Sequence, residues 1–371
     1  MTTAFGGRAT GARLERMKAS PRWVDGAFRN VHPLIPGLRA PVRMPTITEF
    51  LMGGTRRVPP GPLPMGDPRE AWRRAPESGM RVTWIGHSTL LIEIGGVRVL
   101  TDPVWGPRAS PFRVAGPRRF QDPVVDLDEL PPVDVIVLSH DHYDHLDYPT
   151  FRRIAKWSTP IVTSLGVGAH LEAWGVHRSR ITELDWWEVA KPPGVDVAIT
   201  ATPSQHFSGR TIRTRNATLW SSFVIRGAGH TAFFGADTGL STLYRDIAAK
   251  FGPFDVAMLE VGAYHPAWGD IHLGPDNAIK ALEMIGNPPF IPIHWGTFNL
   301  AMHPWDAPVE RLAELAQQAG LTMMVPRPGD PVEPAAGARV EPWWRAVVKR
   351  RGTHAAPPVP EPVPPGSWPL D

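Results

Sequence analysis

Short apolar runs rich in β-branched residues recur through the middle of the chain. Runs of this length, bounded by polar or glycine-rich segments, are typical of strands buried on both faces. We therefore predict strands over Val82–Ile94, Val97–Leu100, Val133–Leu138, Ile161–Thr163, Val195–Ala201, Thr231–Phe234, Phe254–Val261 and Phe290–Ile293. Gly95-Gly96, between the first two runs, predicts a hairpin.

Apolar residues repeat with helical spacing in two segments of the C-terminal half. One covers Pro275–Ile285, with a proline in its first turn, and the other covers Val309–Ala319, followed by Gly320. Proline near the start and glycine just past the end are usual helix boundaries. Alternating strands and helices predict an α/β fold, and two successive strand-rich halves are compatible with a sandwich of two sheets.

The two ends of the chain have a different composition from its middle. Residues 1–78 are rich in Pro, Gly and Arg and predict an extended arm that wraps the core, with scattered apolar side chains at Trp23, Phe28, Leu34, Ile35, Leu38, Phe50 and Leu51. From Ala355 onward, seven of 17 residues are proline, which indicates a polyproline-like tail. We divide the chain into the arm (1–78), a hydrolase domain (79–325) and a C-terminal extension (326–371).

Composition limits the classes of function. The 371 residues include 42% hydrophobic and 20% charged residues, as in a chain with a packed core, and the net charge of +3 gives no indication of nucleic-acid binding. There is no cysteine, so any metal must be held by His and carboxylate side chains.

Neither a long apolar run nor the apolar core of a signal peptide is visible in the sequence. We therefore expect a cytoplasmic protein without a membrane span. Peripheral contact with a membrane stays open, with the apolar residues of the arm as the candidates and a purely structural strap as the alternative. A homodimer is left open as well.

Polar residues follow four of the predicted strands. The run S-H-D-H-Y-D-H at 139–145 comes directly after Val133–Leu138, and His206, Asp237 and His294 follow three later strands. Side chains at strand ends can converge on one cleft. Because burying so many polar groups without partners is costly, a purely structural role is disfavoured.

These residues have the chemistry of metal ligands. Imidazole and carboxylate groups suit zinc, with manganese or iron as alternatives. Seven candidates exceed the needs of one ion, so we predict two zinc ions, and a shared water with its pKa lowered to about 7 as nucleophile. The predicted ligands are His140, His142, Asp144, His145, His206, Asp237 and His294.

Several other polar or aromatic residues receive a structural interpretation first. His87 is expected to tie a turn rather than bind metal. The pair Trp186-Trp187 is expected to pack in the core. The pair Trp343-Trp344 is expected to act as a packing staple that attaches the C-terminal extension. Arg210, Arg213 and Arg215 either meet a phosphate or lie in a solvated loop.

The order H-x-H-x-D-H, then a lone His, a lone Asp and a final His, resembles the metallo-β-lactamase superfamily. That resemblance implies an αββα sandwich of two mixed β-sheets flanked by helices, with two metals. Further motifs resemble the branch of N-acyl-phosphatidylethanolamine-hydrolysing phospholipase D: T-W-I-G-H-S-T, L-T-D-P-V-W, G-P-R-R-F, S-H-D-H-Y-D-H-L-D-Y, E-L-D-W-W-E, T-P-S-Q-H, G-A-D-T-G and I-H-W-G-T-F. They extend from about Arg81 to Leu300.

The resemblance implies a role for each of these positions. One zinc would be held by His140, His142 and His206, the other by Asp144, His145 and His294, with Asp237 as the bridge. Asp144, Asp237 and His272 would be catalytic, and Tyr148 and His272 would face the substrate. Asp141 stands where the animal enzymes carry Asn, and the stretch from His265 to Leu273 is only loosely similar, which leaves the head-group preference open.

The expected activity is phosphodiester hydrolysis of an N-acyl-phosphatidylethanolamine-like lipid to phosphatidate and an N-acylethanolamine by metal-bound hydroxide. Two alternatives remain. The same site could hydrolyse a lactone, a carboxylic ester or a cyclic phosphate, because related sandwiches host many reactions. A metal-binding protein without turnover is the third hypothesis, and the complete ligand set argues against it. The expected partner is therefore a lipid or small-molecule substrate.

Overall fold

Strands and helices alternate along the computed structural model, which describes residues 4–34, 56–265, 271–337 and 341–349. The strands are β1 (Trp23–Val24), β2 (Ala27–Phe28), β3 (Met80–Gly86), β4 (Thr89–Ile94), β5 (Val97–Thr101), β6 (Val135–Leu138), β7 (Ile161–Ser164), β8 (Ile181–Leu184), β9 (Val189–Ala190), β10 (Ala198–Thr202), β11 (Ser222–Gly227), β12 (His230–Phe234), β13 (Val256–Glu260), β14 (Phe290–Ile293) and β15 (Pro331–Val332). The helices are α1 (Gly11–Lys18), α2 (Tyr148–Ile154), α3 (Gly168–Ala173), α4 (Leu243–Phe251), α5 (Gly274–Met284), α6 (Ala307–Gln318) and α7 (Trp343–Lys349).

Two mixed sheets form the centre of the fold. The first has the strand order β15-β3-β4-β5-β6-β7-β8, and the second has the order β14-β13-β12-β11-β10-β9. Strands β5 to β8 are parallel to one another, as are β12 to β14, whereas β3, β4 and β5 are linked by antiparallel hairpins. The predicted αββα sandwich is confirmed.

The apolar pattern of the strands explains why they are buried on both faces. In β6, Val135 and Val137 pack into the core between the two sheets. Ile136 and Leu138 point to the other face and pack beneath α2 and α3. Fully burying each of these side chains contributes about 1.5–3 kcal/mol. The short continuous apolar run therefore predicts the layer order correctly.

One predicted strand is wrong in its extent. The run Val82–Ile94 is broken into β3 and β4 by a turn, with Gly86 at φ 138° and His87 at φ 54°. No apolar pattern signals this turn, because the residues on both sides of it are buried. The hairpin at Gly95-Gly96 is confirmed by the pairing of Ile94 with Val97.

Tryptophan side chains attach the C-terminal segment to the core. Trp295 stacks on Trp84 and on Trp343, with ring centroids 5.4 and 5.5 Å apart, and the Trp343 indole donates to the carbonyl of Val325. The predicted staple is confirmed for Trp343-Trp344, which are both buried. These residues and β15 lie beyond residue 325, so the core receives contributions from the predicted C-terminal extension.

The N-terminal segment docks on the first sheet through α1 and the hairpin β1–β2. Arg13 forms ion pairs with Glu172 (2.8 Å) and Glu183 (2.6 Å), and Phe28 is fully buried. Trp23 packs edge-on against Phe28. These contacts favour the structural strap for this part of the arm. Ile35, Leu38, Phe50, Leu51 and the proline-rich tail lie outside the described residues.

Within the same described ranges, no helix combines the length and the apolar character that a membrane crossing requires.

Replacing Glu93 with alanine is expected to lower the free energy of unfolding by about 3 kcal/mol, because it leaves the Arg81 guanidinium buried without its charge partner. The two side chains are 2.5 Å apart and both buried, on β3 and β4. Urea unfolding measures the change. Glu70→Ala is the control: its pair with Arg74 is exposed, so a loss below about 0.5 kcal/mol is expected. Equal losses would contradict this account.

Candidate metal centre

The predicted metal ligands follow strands whose ends meet at one edge of the sandwich. His140 follows β6 of the first sheet, and three more ligands follow β10, β12 and β14 of the second. Strands β10, β12 and β14 run in the same direction, so their C-terminal ends share an edge. The structure brings all seven predicted ligands together there: His140, His142, Asp144, His145, His206, Asp237 and His294.

The ligand atoms form two clusters. In the first, His142 Nδ1 lies 2.8 Å from His140 Nε2 and 3.3 Å from His206 Nε2. In the second, Asp144 Oδ2 lies 3.6 Å from His145 Nε2 and 3.3 Å from His294 Nε2. Within each cluster the ligand atoms lie within 4.8 Å of one another.

Asp237 joins the two clusters. Its Oδ2 lies 3.6 Å from His206 Nε2 and 3.9 Å from His140 Nε2, on the first side. Its Oδ1 lies 3.1 Å from both His145 Nε2 and His294 Nε2, on the second. One carboxylate therefore presents an oxygen to each cluster, which is the geometry of a bridging ligand.

The nitrogen and oxygen atoms of the clusters are better placed to bind metal ions than to form hydrogen bonds with one another. His145 Nε2, Asp237 Oδ1 and His294 Nε2 are buried and have no hydrogen-bond partner. Leaving such atoms unsatisfied costs about 1–3 kcal/mol each, so a buried cluster of them indicates a missing partner. Imidazole and carboxylate donors in two adjoining groups suit two transition-metal ions such as zinc. His142 and Asp144 are only partly buried, which gives access from solvent.

Charge within the clusters keeps the carboxylates ionised. Burial opposes ionisation of Asp237, but His145 and His294 outweigh it and hold the pKa of its carboxyl well below 3.8. Burial also disfavours protonated His294, yet Asp237 and Asp144 raise its pKa to about 10. Burial, followed by neighbouring histidines, lowers the pKa of His140 well below 6.5, so its ring is neutral and can act as a ligand.

Two carboxylates outside the predicted set orient histidines of the site, one a predicted ligand (His145) and one beside the ligands (His272). Asp102 Oδ2 lies 2.7 Å from His145 Nδ1, and Asp102 also accepts hydrogen bonds from the backbone and hydroxyl of Ser139. Glu260 Oε2 lies 2.5 Å from His272 Nδ1. Such partners fix the tautomer and direction of a ligating imidazole. Sequence reasoning missed both, although Asp102 directly follows β5 and Glu260 is the last residue of β13.

Several strained backbone conformations lie at this edge. Non-glycine residues with positive φ include His87 (54°), Asp102 (32°), Ala236 (49°) and His294 (64°). Each such conformation costs on the order of 1–3 kcal/mol and persists only where the surroundings enforce it. Strain at residues of the His–Asp clusters and their neighbours supports a functional site.

His87 has a larger part in the site than the sequence predicted. Its backbone ties the turn as expected: the carbonyl accepts from Trp84 Nε1 and from the backbone N–H of His294. In addition, its Nε2 lies 3.0 Å from Asp144 Oδ2, and the ring belongs to the second cluster. His87 lies in a turn after Gly86 and has no other His or Asp nearby in the sequence. A spacing typical of metal ligands was therefore not visible there.

The comparison with protein families agrees with this geometry. A family model described as "Beta-lactamase superfamily domain" matches residues 97–295. The chain belongs to the metallo-β-lactamase superfamily.

Relatives place this superfamily member in a narrower group. A Mycobacterium tuberculosis protein described as uncharacterized is 44% identical over 332 residues, 88% of each chain. The N-acyl-phosphatidylethanolamine-hydrolyzing phospholipase D 1 of Caenorhabditis elegans is 36% identical over 256 residues, covering 64% of this chain and 70% of the worm protein. The mitochondrial yeast enzyme of the same description is 32% identical and is covered over 52% of its length. The chain lies in the branch similar to these phospholipases D.

Solved structures share the metallo-β-lactamase fold at lower identity. An isothiocyanate hydrolase from Delia radicum gut bacteria matches with a TM-score of 0.54 and 20% identity, over 68% of this chain and 99% of that one. Igni18, a metallo hydrolase from Ignicoccus hospitalis, matches with a TM-score of 0.53 and 20% identity, over 68% and 97%. Both support the fold.

His272 and Tyr148, the two residues predicted to contact substrate, have different surroundings. The His272 ring lies beside the metal clusters, 5.1 Å from His206 and 5.4 Å from His294 between ring centroids. Tyr148 instead begins α2 and packs edge-on against Trp174, 5.2 Å away. The structure therefore gives Tyr148 a packing role, and its contact with substrate stays a prediction.

The loop after His206 also differs from expectation. Arg210 is buried, and its guanidinium donates to the carbonyls of Asp141 (2.7 Å) and Leu146 (2.9 Å). This side chain shapes the loop that carries the metal ligands, which is neither of the two roles considered from the sequence. Arg213 and Arg215 remain exposed.

The N-terminal segment reaches the metal centre through Asn30. The side-chain amide of Asn30 donates to the carbonyl of His206 (2.8 Å) and accepts from its N–H (3.1 Å), and Trp220 Nε1 donates to the same amide oxygen. A residue far away in sequence thus fixes the backbone of one ligand. No spacing pattern in the sequence could have revealed this contact.

Asn30→Ala is expected to weaken zinc binding about tenfold while the fold is retained, since outer partners of ligands typically contribute 10–100-fold to metal affinity. Competition with a chromogenic chelator measures the affinity. Asn277→Ala is the matched control, because this amide only accepts from Lys280 on the exposed face of α5. If both variants bind zinc as tightly as the parent protein, Asn30 does not position His206.

Proposed function

We propose that the protein is a two-zinc phosphodiesterase that hydrolyses N-acyl-phosphatidylethanolamine-like lipids to phosphatidate and an N-acylethanolamine. The observation that carries the proposal is Asp237, which presents one oxygen to each of two His–Asp clusters. Identity of 36% to a worm enzyme described as a phospholipase D of this kind supports the choice of substrate.

The contacts within the two clusters support two ligand sets. His140, His142 and His206 would hold one ion, and Asp144, His145 and His294 the other, with Asp237 between them. His87 contacts Asp144 and orients it. When bound, two zinc ions would supply Lewis acidity for the phosphoryl oxygens and lower the pKa of water to about 7.

The chain's own residues contribute charge and proton transfer. Asp144 and Asp237 would each supply a negative charge that balances the positive charge of the metals. His272 is held by the buried Glu260 beside the clusters. We assign His272 the transfer of a proton to the departing alkoxide, because its ring adjoins the ligand histidines.

The bond changes balance without a protein nucleophile. A water oxygen attacks phosphorus, and the bond from phosphorus to the ester oxygen of the ethanolamine group breaks. That oxygen takes up a proton and leaves as the hydroxyl of the N-acylethanolamine. There is no cysteine, and the five histidines assigned as ligands would have their ring nitrogens committed to metal. Direct attack therefore predicts hydrolysis rather than transfer of the phosphatidyl group to an alcohol.

Mass spectrometry of products tests the proposal. Zinc-loaded protein is incubated with N-acyl-phosphatidylethanolamine, lactones, carboxylic esters and cyclic phosphates, in parallel with manganese- and iron-loaded protein. We expect phosphatidate and N-acylethanolamine, one ¹⁸O from labelled water in the phosphatidate, and no phosphatidylbutanol when butanol is added. Turnover restricted to lactones, esters or cyclic phosphates, or label in the ethanolamide, would refute the proposed reaction.

A further inference from the structure

Four exposed apolar side chains stand on the segment that follows His206 and on two segments next to it. We call residues 4–9, 107–118 and 207–215 the rim. Its apolar tips are Phe5, Phe112, Val114 and Ile212, with exposed fractions of 40%, 56%, 87% and 82%. Side chains of this kind, left in water at such exposure, mark a surface that contacts an apolar phase or a partner.

The three segments of the rim adjoin one another. The rings of Phe5 and Phe112 meet edge-on with centroids 6.0 Å apart. The guanidinium of Arg210 donates to the carbonyl of Ala4 at 2.7 Å. Arg8 and Arg213 line the same cavity. The exposed tips therefore belong to one surface and are not scattered over the molecule.

The rim is also strongly basic. It contains no Asp or Glu, and its arginines are Arg8, Arg108, Arg113, Arg118, Arg210, Arg213 and Arg215. Apart from buried Arg210 and half-buried Arg108, these side chains are exposed. In the part of the chain that the structure describes, none of the rim arginines forms an ion pair, so their charge is available to an anionic surface.

Ring contacts connect the rim to the metal ligands. Phe207 packs against His142 and His206, with ring centroids 4.5 and 4.8 Å apart. The guanidinium of Arg215 lies 4.8 Å above the Phe207 ring. A surface bound at the rim would therefore sit beside the first cluster.

We propose that the rim docks on the surface of a bilayer that contains anionic phospholipid, with the apolar tips in the interface and the arginines against the phosphates. Apolar tips among unpaired arginines match an interface that is apolar inside and negatively charged outside. This inference rests on the proposed function in one respect, because a two-chain lipid substrate would be drawn from such a surface.

Vesicle sedimentation without turnover tests the docking. We expect zinc-loaded full-length protein to bind vesicles of phosphatidylcholine mixed with phosphatidylglycerol about tenfold or more tightly than vesicles of phosphatidylcholine alone, and added salt to weaken the binding. The double variant Val114→Glu and Ile212→Glu should lose about tenfold or more of the affinity. Val189→Glu is the matched control, since Val189 is 55% exposed on β9, outside the rim.

The outcomes separate docking from catalysis. Equal binding to neutral and anionic vesicles, or parental affinity in the double variant, would overturn the rim proposal even if the lipid is hydrolysed. Activity of the double variant on a short-chain soluble phosphodiester should equal that of the parent protein. Vesicle binding that needs the rim, without release of phosphatidate, would sustain the docking surface and refute the proposed function.

Discussion

Asp237→Asn is expected to fold normally and to lose at least about a thousandfold of turnover. The asparagine amide keeps one oxygen but has an NH₂ group in place of the other. One of the two clusters then faces an NH₂ group, which cannot bind a metal ion as the carboxylate oxygen can. The variant also loses the negative charge between His145 and His206. Loss of about 4 kcal/mol of metal-centred stabilisation corresponds to a thousandfold in rate.

Asp147→Asn is the matched control for this substitution. Asp147 is also buried in the same loop region, but its carboxylate caps α2 and accepts from the N–H of Gly106. All of these hydrogen bonds are accepted by Asp147 Oδ2, so an amide oxygen in that place can keep them, and the side chain belongs to neither cluster. We expect most of the activity to remain. Comparable losses in both variants, with equal folded fractions by circular dichroism, would show that burial rather than bridging makes Asp237 essential.

Removal of metal is expected to lower the thermal stability of the protein by about 10 °C and to abolish activity. An ion present at a thousand times its Kd stabilises a folded protein by about 4 kcal/mol, and the metal-free clusters leave buried nitrogen and oxygen atoms unpaired. Differential scanning calorimetry before and after dialysis against a chelator measures the shift.

Zinc added back should restore both stability and activity, whereas magnesium should restore neither, because magnesium prefers an all-oxygen ligand set. The Asn30→Ala variant should need more zinc for the same recovery. A melting temperature that does not respond to the chelator, in protein shown to be metal-depleted, would contradict metal ions as structural partners of the clusters.

Strand positions and the residues of the two His–Asp clusters could be predicted from the sequence because both depend on local pattern. Val135–Leu138 is apolar at every position since both faces of β6 are covered, and polar residues directly after such a strand have few structural explanations. His206, Asp237 and His294 follow the same logic at three other strand ends. The convergence of four strands was therefore expected before the structure was known.

The remaining parts of the site depend on contacts between distant segments. Asn30 meets His206 only because the N-terminal segment docks on the first sheet, and Arg210 is buried only because its loop folds against Asp141 and Leu146. His87 reaches the second cluster because it lies in a turn between β3 and β4. The apolar pattern of the sequence does not indicate this turn, because the residues on both sides of it are buried. Short elements such as α2 and α3 carry too little periodicity to be recognised.

The zinc stoichiometry of the reconstituted protein tests the central claim most directly. Protein stripped of metal, loaded with zinc and passed through a desalting column is analysed for zinc per chain by elemental mass spectrometry. Two clusters bridged by Asp237 predict two zinc ions per chain in the parent protein. A value that stays at or below one per chain, in fully folded protein with excess zinc supplied, would contradict the two-metal site and the hydrolytic mechanism built on it.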